Sequence, residues 1–188
     1  MDMNAQLIEG FSEEVVQLGW RVHRRLSEPE FYFRGPSRFA PDQENVGVLY
    51  LASNEQVAME EFIGSLTAVR GVDLEKYVLS ELEFPTPLRL IDTTDHSATA
   101  ETIANSIRSE DYMPSQAFAT AAYGSGKDGI AFRSHSGGRL YAVFGLVGGS
   151  KEVKIAREVN PESTKFMEYE LIQVVRDPGV SEGQSGAS

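Results

Sequence analysis

The chain has 188 residues, 41 % hydrophobic and 24 % charged, with 17 Lys plus Arg against 28 Asp plus Glu and a net charge of −11. That profile fits one soluble globular domain, excludes a disordered chain, and repels phosphate polymers, so direct nucleic-acid binding is not expected; no apolar run approaches the ~18 residues of a membrane span. The absence of cysteine removes disulfides, thiolate metal sites and cysteine nucleophiles together.

The N-terminus, MDMNAQLIEGFSEE, is acidic and has no apolar h-region, so it does not read as a secretory signal, and a cytoplasmic location is the expectation. Residues 20–39 carry Arg21, Arg24, Arg25, Arg34 and Arg38 against only Glu28 and Glu30, and Arg outnumbers Lys 12 to 5 along the chain. Arginine makes forked contacts to phosphate and carboxylate, so a cationic island in an acidic chain points to a small anionic ligand. Ser27–Asn45 holds Arg34 and Arg38 of this island and is long for a loop in a compact domain, which is the mark of a functional segment.

Val46–Ala52 is an apolar run of strand length. Ser53-Asn-Glu-Gln56 fits a capping box, which starts a helix over about Asn54–Val69. Val57, Ala58, Phe62, Leu66 and Val69 give that helix its apolar face, and Gly71 ends it. Tyr77–Phe84 and Leu88–Ile91 read as strands broken by Pro85 and Pro87. Ala98–Arg108 reads as a helix. Ser115 can cap another over Gln116–Tyr123, closed by Gly124. Gly129–Phe132, Leu140–Leu146 and Tyr169–Val175 are strands, the first two joined through Arg133–Gly138. His23, His96 and His135 lack metal-ligand spacing, so no metal site is expected. Residues 177–188 hold too little apolar surface to order and form a tail. The remainder, 1–176, reads as one α+β domain with strands in the majority.

Four stretches, in order, resemble a known family. They are Trp20-Arg21-Val22-His23; Ser37-Arg38-Phe39-Ala40-Pro41; Leu49-Tyr50-Leu51-Ala52 with Glu61 eleven residues beyond the tyrosine; and Asp128-Gly129-Ile130-Ala131-Phe132-Arg133-Ser134. The series is similar to the RES domain, a toxin family named for its Arg, Glu and Ser, from about residue 18 to about 150. The resemblance implies a fold related to ADP-ribosyltransferases, with split mixed β-sheets and flanking helices. It also implies a toxin that cleaves NAD+ at the nicotinamide–ribose bond by phosphorolysis or hydrolysis. NAD+ is then a substrate, with no resident cofactor, and a helix-turn-helix antitoxin is the implied partner. Carried onto this chain, Glu61, Arg21 and Ser134 are catalytic, and Arg38, Tyr50, His23 and Arg133 bind substrate. The chain departs from the family pattern at Trp20 and Phe132, where tyrosine is frequent, at Phe39, where tryptophan is common, and in lacking a Gly-Gly run between Arg21 and Arg38.

The residues suit such chemistry, though each has a plainer reading. A pyridinium leaving group departs neutral and needs no general acid, so one carboxylate near the ribose suffices, unlike the paired carboxylates of ordinary glycosidases. Taken alone, Glu61 is a solvated helix glutamate. Arg38 equally suits a salt bridge to Glu28, Glu30 or Asp42, Tyr50 suits core packing as well as stacking on nicotinamide, and Ser134 suits a turn. Transfer of ADP-ribose to a protein, or a catalytically silent nucleotide-binding module, are the alternatives. A rival transferase pattern, Glu162-Ser-Thr164 with Glu168-Tyr-Glu170, places its two parts too close together for separate strands.

Overall fold

The computed structural model describes residues 8–35, 37–66, 76–94, 111–134, 137–148 and 153–159. The expected helix at 98–108, the expected strand at 169–175, the rival pattern at 162–170, the tail at 177–188, His96 and His135 lie outside these residues. Described are six strands, β1 (Ser12–Arg24), β2 (Val46–Ala52), β3 (Tyr77–Asp92), β4 (Gly129–Arg133), β5 (Arg139–Leu146) and β6 (Lys154–Val159), and two helices, α1 (Glu55–Leu66) and α2 (Met113–Gly124). Neither helix is long and apolar enough to cross a membrane.

The strands form one mixed sheet in the order β1-β2-β5-β4-β3-β6. β1 pairs antiparallel with β3 along most of its length and meets β2 at Trp20↔Ala52, so the first five strands close on themselves. The single parallel pairing among them is β3 with β4, through Leu90↔Gly129 to Asp92↔Ala131. On that same side the first half of β3 pairs with β6, so β3 forks between two neighbours. The expected α+β class is what is found, with the described strands in one mixed sheet that forks at β3.

Period-two alternation sorts the strand residues onto two faces. Leu49, Leu51, Ala131, Tyr141 and Val143 pack inward with Val16, Leu82, Phe84, Leu88 and Leu90. Val46, Val48, Ile130, Ala142 and Phe144 turn the other way onto Phe118, Ala119 and Ala122 of α2. Loop 27–45 supplies two of the most deeply buried rings, Tyr32 and Phe39, both 0 % exposed. Truncating a phenylalanine in such a position costs about 3–5 kcal/mol, so this loop is part of the core and not a mobile flap. Gly145 lets Tyr32 in, since a Cβ there would lie 2.4 Å from its ring.

Three sequence expectations are corrected. Pro85 and Pro87 do not break the strand; β3 runs through them. They fall where β1 shifts register between Val16 and Leu18 and where β4 and β6 have no partner, so the missing N–H groups are not needed. The cap of α1 is Asn54, whose Oδ1 accepts the Val57 N–H at 3.0 Å, while Gln56 turns to Glu60 and not back toward Ser53. Among the described side chains of α1, Val57, Ala58, Met59 and Ile63 are buried, so Met59 and Ile63 extend the expected face while Phe62 packs against it only partly buried and Glu61 is half-buried; the Leu66 side chain, Val69 and Gly71 lie outside the described residues. Ser115 lies inside α2, its hydroxyl donating to Tyr112 O at 3.0 Å, and the helix starts at Met113 with Pro114 in its first turn. β1 and β6 are strands that the sequence patterning does not reveal.

Candidate active site

A cavity of about 700 Å³ opens between α1, the end of loop 27–45 and the start of α2. Such a volume is in the range of small-molecule sites. Its floor is built from β1 (Trp20, Arg21, Val22), β2 (Tyr50, Leu51, Ala52), β4 with the residue after it (Phe132, Arg133, Ser134) and Leu140 of β5. Ala58, Glu61 and Phe62 of α1 form one wall, and Ser37, Arg38 and Tyr112 another. Six of the seven site residues expected from sequence therefore line one cavity: Arg21, Arg38, Tyr50, Glu61, Arg133 and Ser134.

Arg21 is held from one corner. Its Nη1 donates to Pro29 O at 2.6 Å and to Phe31 O at 3.3 Å. Burial lowers the pKa of its guanidinium, opposed by the nearby Glu30. No carboxylate lies within ion-pair distance of it among the described residues. A half-buried cation in that condition favours an anionic visitor. Arg38 lies over the Tyr112 ring, its Cζ 5.1 Å from the centroid.

Tyr50 is packed into the fold and also lines the cavity. Its ring packs edge-on to Phe132 at 6.4 Å, and its hydroxyl accepts the Phe39 N–H at 3.2 Å. Burial raises its pKa, against the pull of that N–H and of Arg38, so the hydroxyl is neutral near pH 7. Glu61 is half-buried on the α1 wall, while its neighbour Glu60 accepts from Gln56 along the helix surface at 2.8 Å.

Ser134 is fixed by a tight β4–β5 turn. Its N–H donates to Gly138 O at 2.8 Å, and its Oγ accepts the Gly138 N–H at 3.1 Å. The turn needs its glycines: Gly137 has φ +88°, and a Cβ on Gly138 would come within 2.6 Å of Val57 on α1. The more exposed Arg133 reaches Gly137 O at 3.5 Å.

His23 does not line the cavity. It is 8 % exposed and ties β1 to β3. Its Nδ1–H donates to Arg24 O (2.9 Å) and Ser27 O (3.1 Å), so its Nε2 accepts from Ser80 Oγ at 2.8 Å. These bonds explain a buried histidine without a ligand. Conversely, Ser37, Phe62 and Tyr112 line the cavity although the sequence motifs give them no role there. Ser37 heads the stretch that holds Arg38, Phe62 falls on the apolar face expected of the helix, and Tyr112 stands in no motif.

The RES-domain family model matches residues 18–161. Among solved structures, a chain of "Crystal structure of the M.tuberculosis MbcT-MbcA toxin-antitoxin complex" is similar at TM-score 0.66 and 21 % identity, over 93 % of this chain and 98 % of that one. At that identity the likeness establishes the fold. No curated protein matches the chain.

Proposed function

Since the chain belongs to the RES-domain family, we propose that it is a toxin that cleaves NAD+ at the nicotinamide–ribose bond. The observation that carries this reading is the convergence of Arg21, Arg38, Tyr50, Glu61 and Ser134, from distant parts of the chain, on one cavity.

In the proposed reaction the bond between C1′ and the pyridinium nitrogen breaks, and its electron pair goes to that nitrogen. Nicotinamide leaves neutral and requires no proton. Positive charge builds on the ribose, where the Glu61 carboxylate opposes it and accepts from a ribose hydroxyl. An oxygen of water or phosphate then bonds to C1′ and gives up a proton to solvent or to Glu61. Electrostatic groups of this kind act through preorganisation, and losing one costs about 10²–10³ in rate. Arg21 and Arg38 hold the pyrophosphate, each charged contact contributing about 1.5–3 kcal/mol. Tyr50, pinned by the Phe39 N–H, offers its ring to nicotinamide, and Ser134 bonds a ribose hydroxyl or the carboxamide.

An NAD+-destroying enzyme needs restraint, and the structural relative comes from a toxin–antitoxin complex. The proposal extends to an antitoxin, of helix-turn-helix type by the family resemblance, that occupies this cationic cavity with a carboxylate. NMR of NAD+ incubated with the protein, in phosphate and in phosphate-free buffer, tests the reaction. Free nicotinamide with ADP-ribose marks hydrolysis, and nicotinamide with a phosphorylated ADP-ribose marks phosphorolysis. Intact NAD+ in both buffers contradicts the proposal, and label from NAD+ appearing on protein in a lysate identifies the transferase alternative instead.

A further inference from the structure

We propose that Tyr112, with Ser37 and Arg38, forms the subsite that takes the adenylate half of the dinucleotide; the inference rests on NAD+ as ligand but not on its cleavage. Three observations converge at this wall of the cavity.

The first is an exposed ring on a fixed backbone. Tyr112 is 37 % exposed and belongs to none of the three apolar clusters. Its carbonyl accepts from Gln116 N–H at 2.9 Å and from Ser115 Oγ at 3.0 Å, and Asp111 Oδ1 accepts the Met113 N–H at 2.9 Å, with Pro114 beside them. An aromatic held outside the core on a rigid helix start presents a stacking face at little ordering cost.

The second is the guanidinium over that ring. Arg38 Cζ stands 5.1 Å from the Tyr112 centroid, so a flat base against the ring places its phosphates next to Arg38. The third is a buried hydroxyl. Ser37 Oγ is shielded from solvent, makes no hydrogen bond of good geometry with a described group, and stands close enough to Tyr50 to pull the pKa of that hydroxyl down. A buried hydroxyl held only by such a weak contact is open to a stronger partner, and a phosphate or ribose oxygen supplies one.

The loop that carries Ser37 and Arg38 is tied to the helix that Tyr112 starts. Gln116 Nε2 donates to Ser37 O at 3.0 Å, and the Asp42 N–H donates to Thr120 Oγ1 at 2.9 Å, binding the end of the loop to α2. Glu61 is on the other wall, with α1. The cavity therefore has a carboxylate wall for the ribose that reacts and an aromatic wall for the base that does not.

Trp20 is the one tryptophan of the sequence and lines the cavity, so its fluorescence reports binding without turnover. The probes are ADP-ribose, which carries adenine, and nicotinamide mononucleotide, which lacks it. Base–aromatic stacking of about 1–3 kcal/mol corresponds to roughly 5- to 150-fold in Kd. Tyr112→Ala is expected to weaken ADP-ribose about tenfold while shifting nicotinamide mononucleotide less than twofold, and Tyr112→Phe is expected to retain ADP-ribose binding. Equal ADP-ribose affinity in wild type and Tyr112→Ala overturns the inference, as does an equal loss for both probes or a wild-type protein that ignores ADP-ribose. A wild type that binds ADP-ribose through Tyr112 but releases no nicotinamide from NAD+ leaves this subsite standing and overturns the cleavage.

Discussion

Two arginines of this chain, Arg21 and Arg139, are both withdrawn from water and are treated in opposite ways. Arg139, where β5 begins, donates through Nε and Nη2 to Glu14 Oε2 at 2.9 and 2.5 Å, through Nη2 to Asp92 Oδ2 at 2.6 Å and through Nη1 to Thr94 Oγ1 at 2.7 Å. Burial alone would lower its pKa, but the carboxylates of Glu14 and Asp92 more than reverse this. Asp92 answers in kind: burial would raise its pKa, and the Thr94 hydroxyl and N–H together with Arg139 bring it below its usual value. Arg21 has two carbonyls and a cavity instead, and burial lowers its pKa. Identical side chains thus divide by their partners. The guanidinium satisfied by carboxylates joins strands; the one satisfied by carbonyls, at the wall of a cavity, is the one proposed to bind an anion.

Substitutions sharpen that division. Arg21→Met is expected to cut kcat/KM for NAD+ about 100-fold in steady-state assays while costing about 1 kcal/mol of stability for the two carbonyl contacts. Arg139→Met is expected to do the reverse. It leaves Glu14 and Asp92 partly buried without their cation, so urea unfolding should show a loss of about 2 kcal/mol, with activity per folded molecule unchanged. An Arg139→Met protein as stable as wild type would remove the distinction.

The third prediction concerns pH. Hydrogen bonds from Arg89 and Lys127 hold the Glu13 carboxyl down to about 2 from an ordinary 4.5. Because the folded value is the lower one, the stabilisation is complete above about pH 4.5 and is lost as pH falls toward 2. Urea midpoints measured between pH 5 and 2.5 should decline, and Glu13→Gln should flatten that decline. The smallest effect is expected from Lys127→Ala. It removes one of Glu13's two partners, so the carboxyl moves back toward its ordinary value, and the acid decline should begin at higher pH and be shallower, with a small loss of stability at pH 7, since exposed pairs contribute little.

The legibility of the chain follows the same physics. β2, β4 and β5 are short strands with strongly apolar faces on both sides, so their runs announce them. β1 does not, because charged residues are spread along it and its register shift at Val16/Leu18 breaks the alternation. β6, Lys-Ile-Ala-Arg-Glu-Val, is exposed nearly throughout and carries no face to read. Within the site, residues embedded in ordered motifs could be found from sequence. His23 stood in such a motif and proved to be a strand tie, because a motif does not say which way a side chain packs. Tyr112 stands in no motif, and Ser37, which heads the stretch holding Arg38, is given no role by it, since what brings the two together is a pair of hydrogen bonds between residues more than seventy positions apart.

The central claim is that one carboxylate, Glu61, faces the sugar in a cavity whose arginines hold the diphosphate. The direct measurement is nicotinamide released from NAD+ by wild type and by folded Glu61→Gln, at equal protein concentration. Wild type should release nicotinamide and the variant should lose about 10²–10³ in rate; turnover by Glu61→Gln at the wild-type rate would mean that this carboxylate does not serve the reaction.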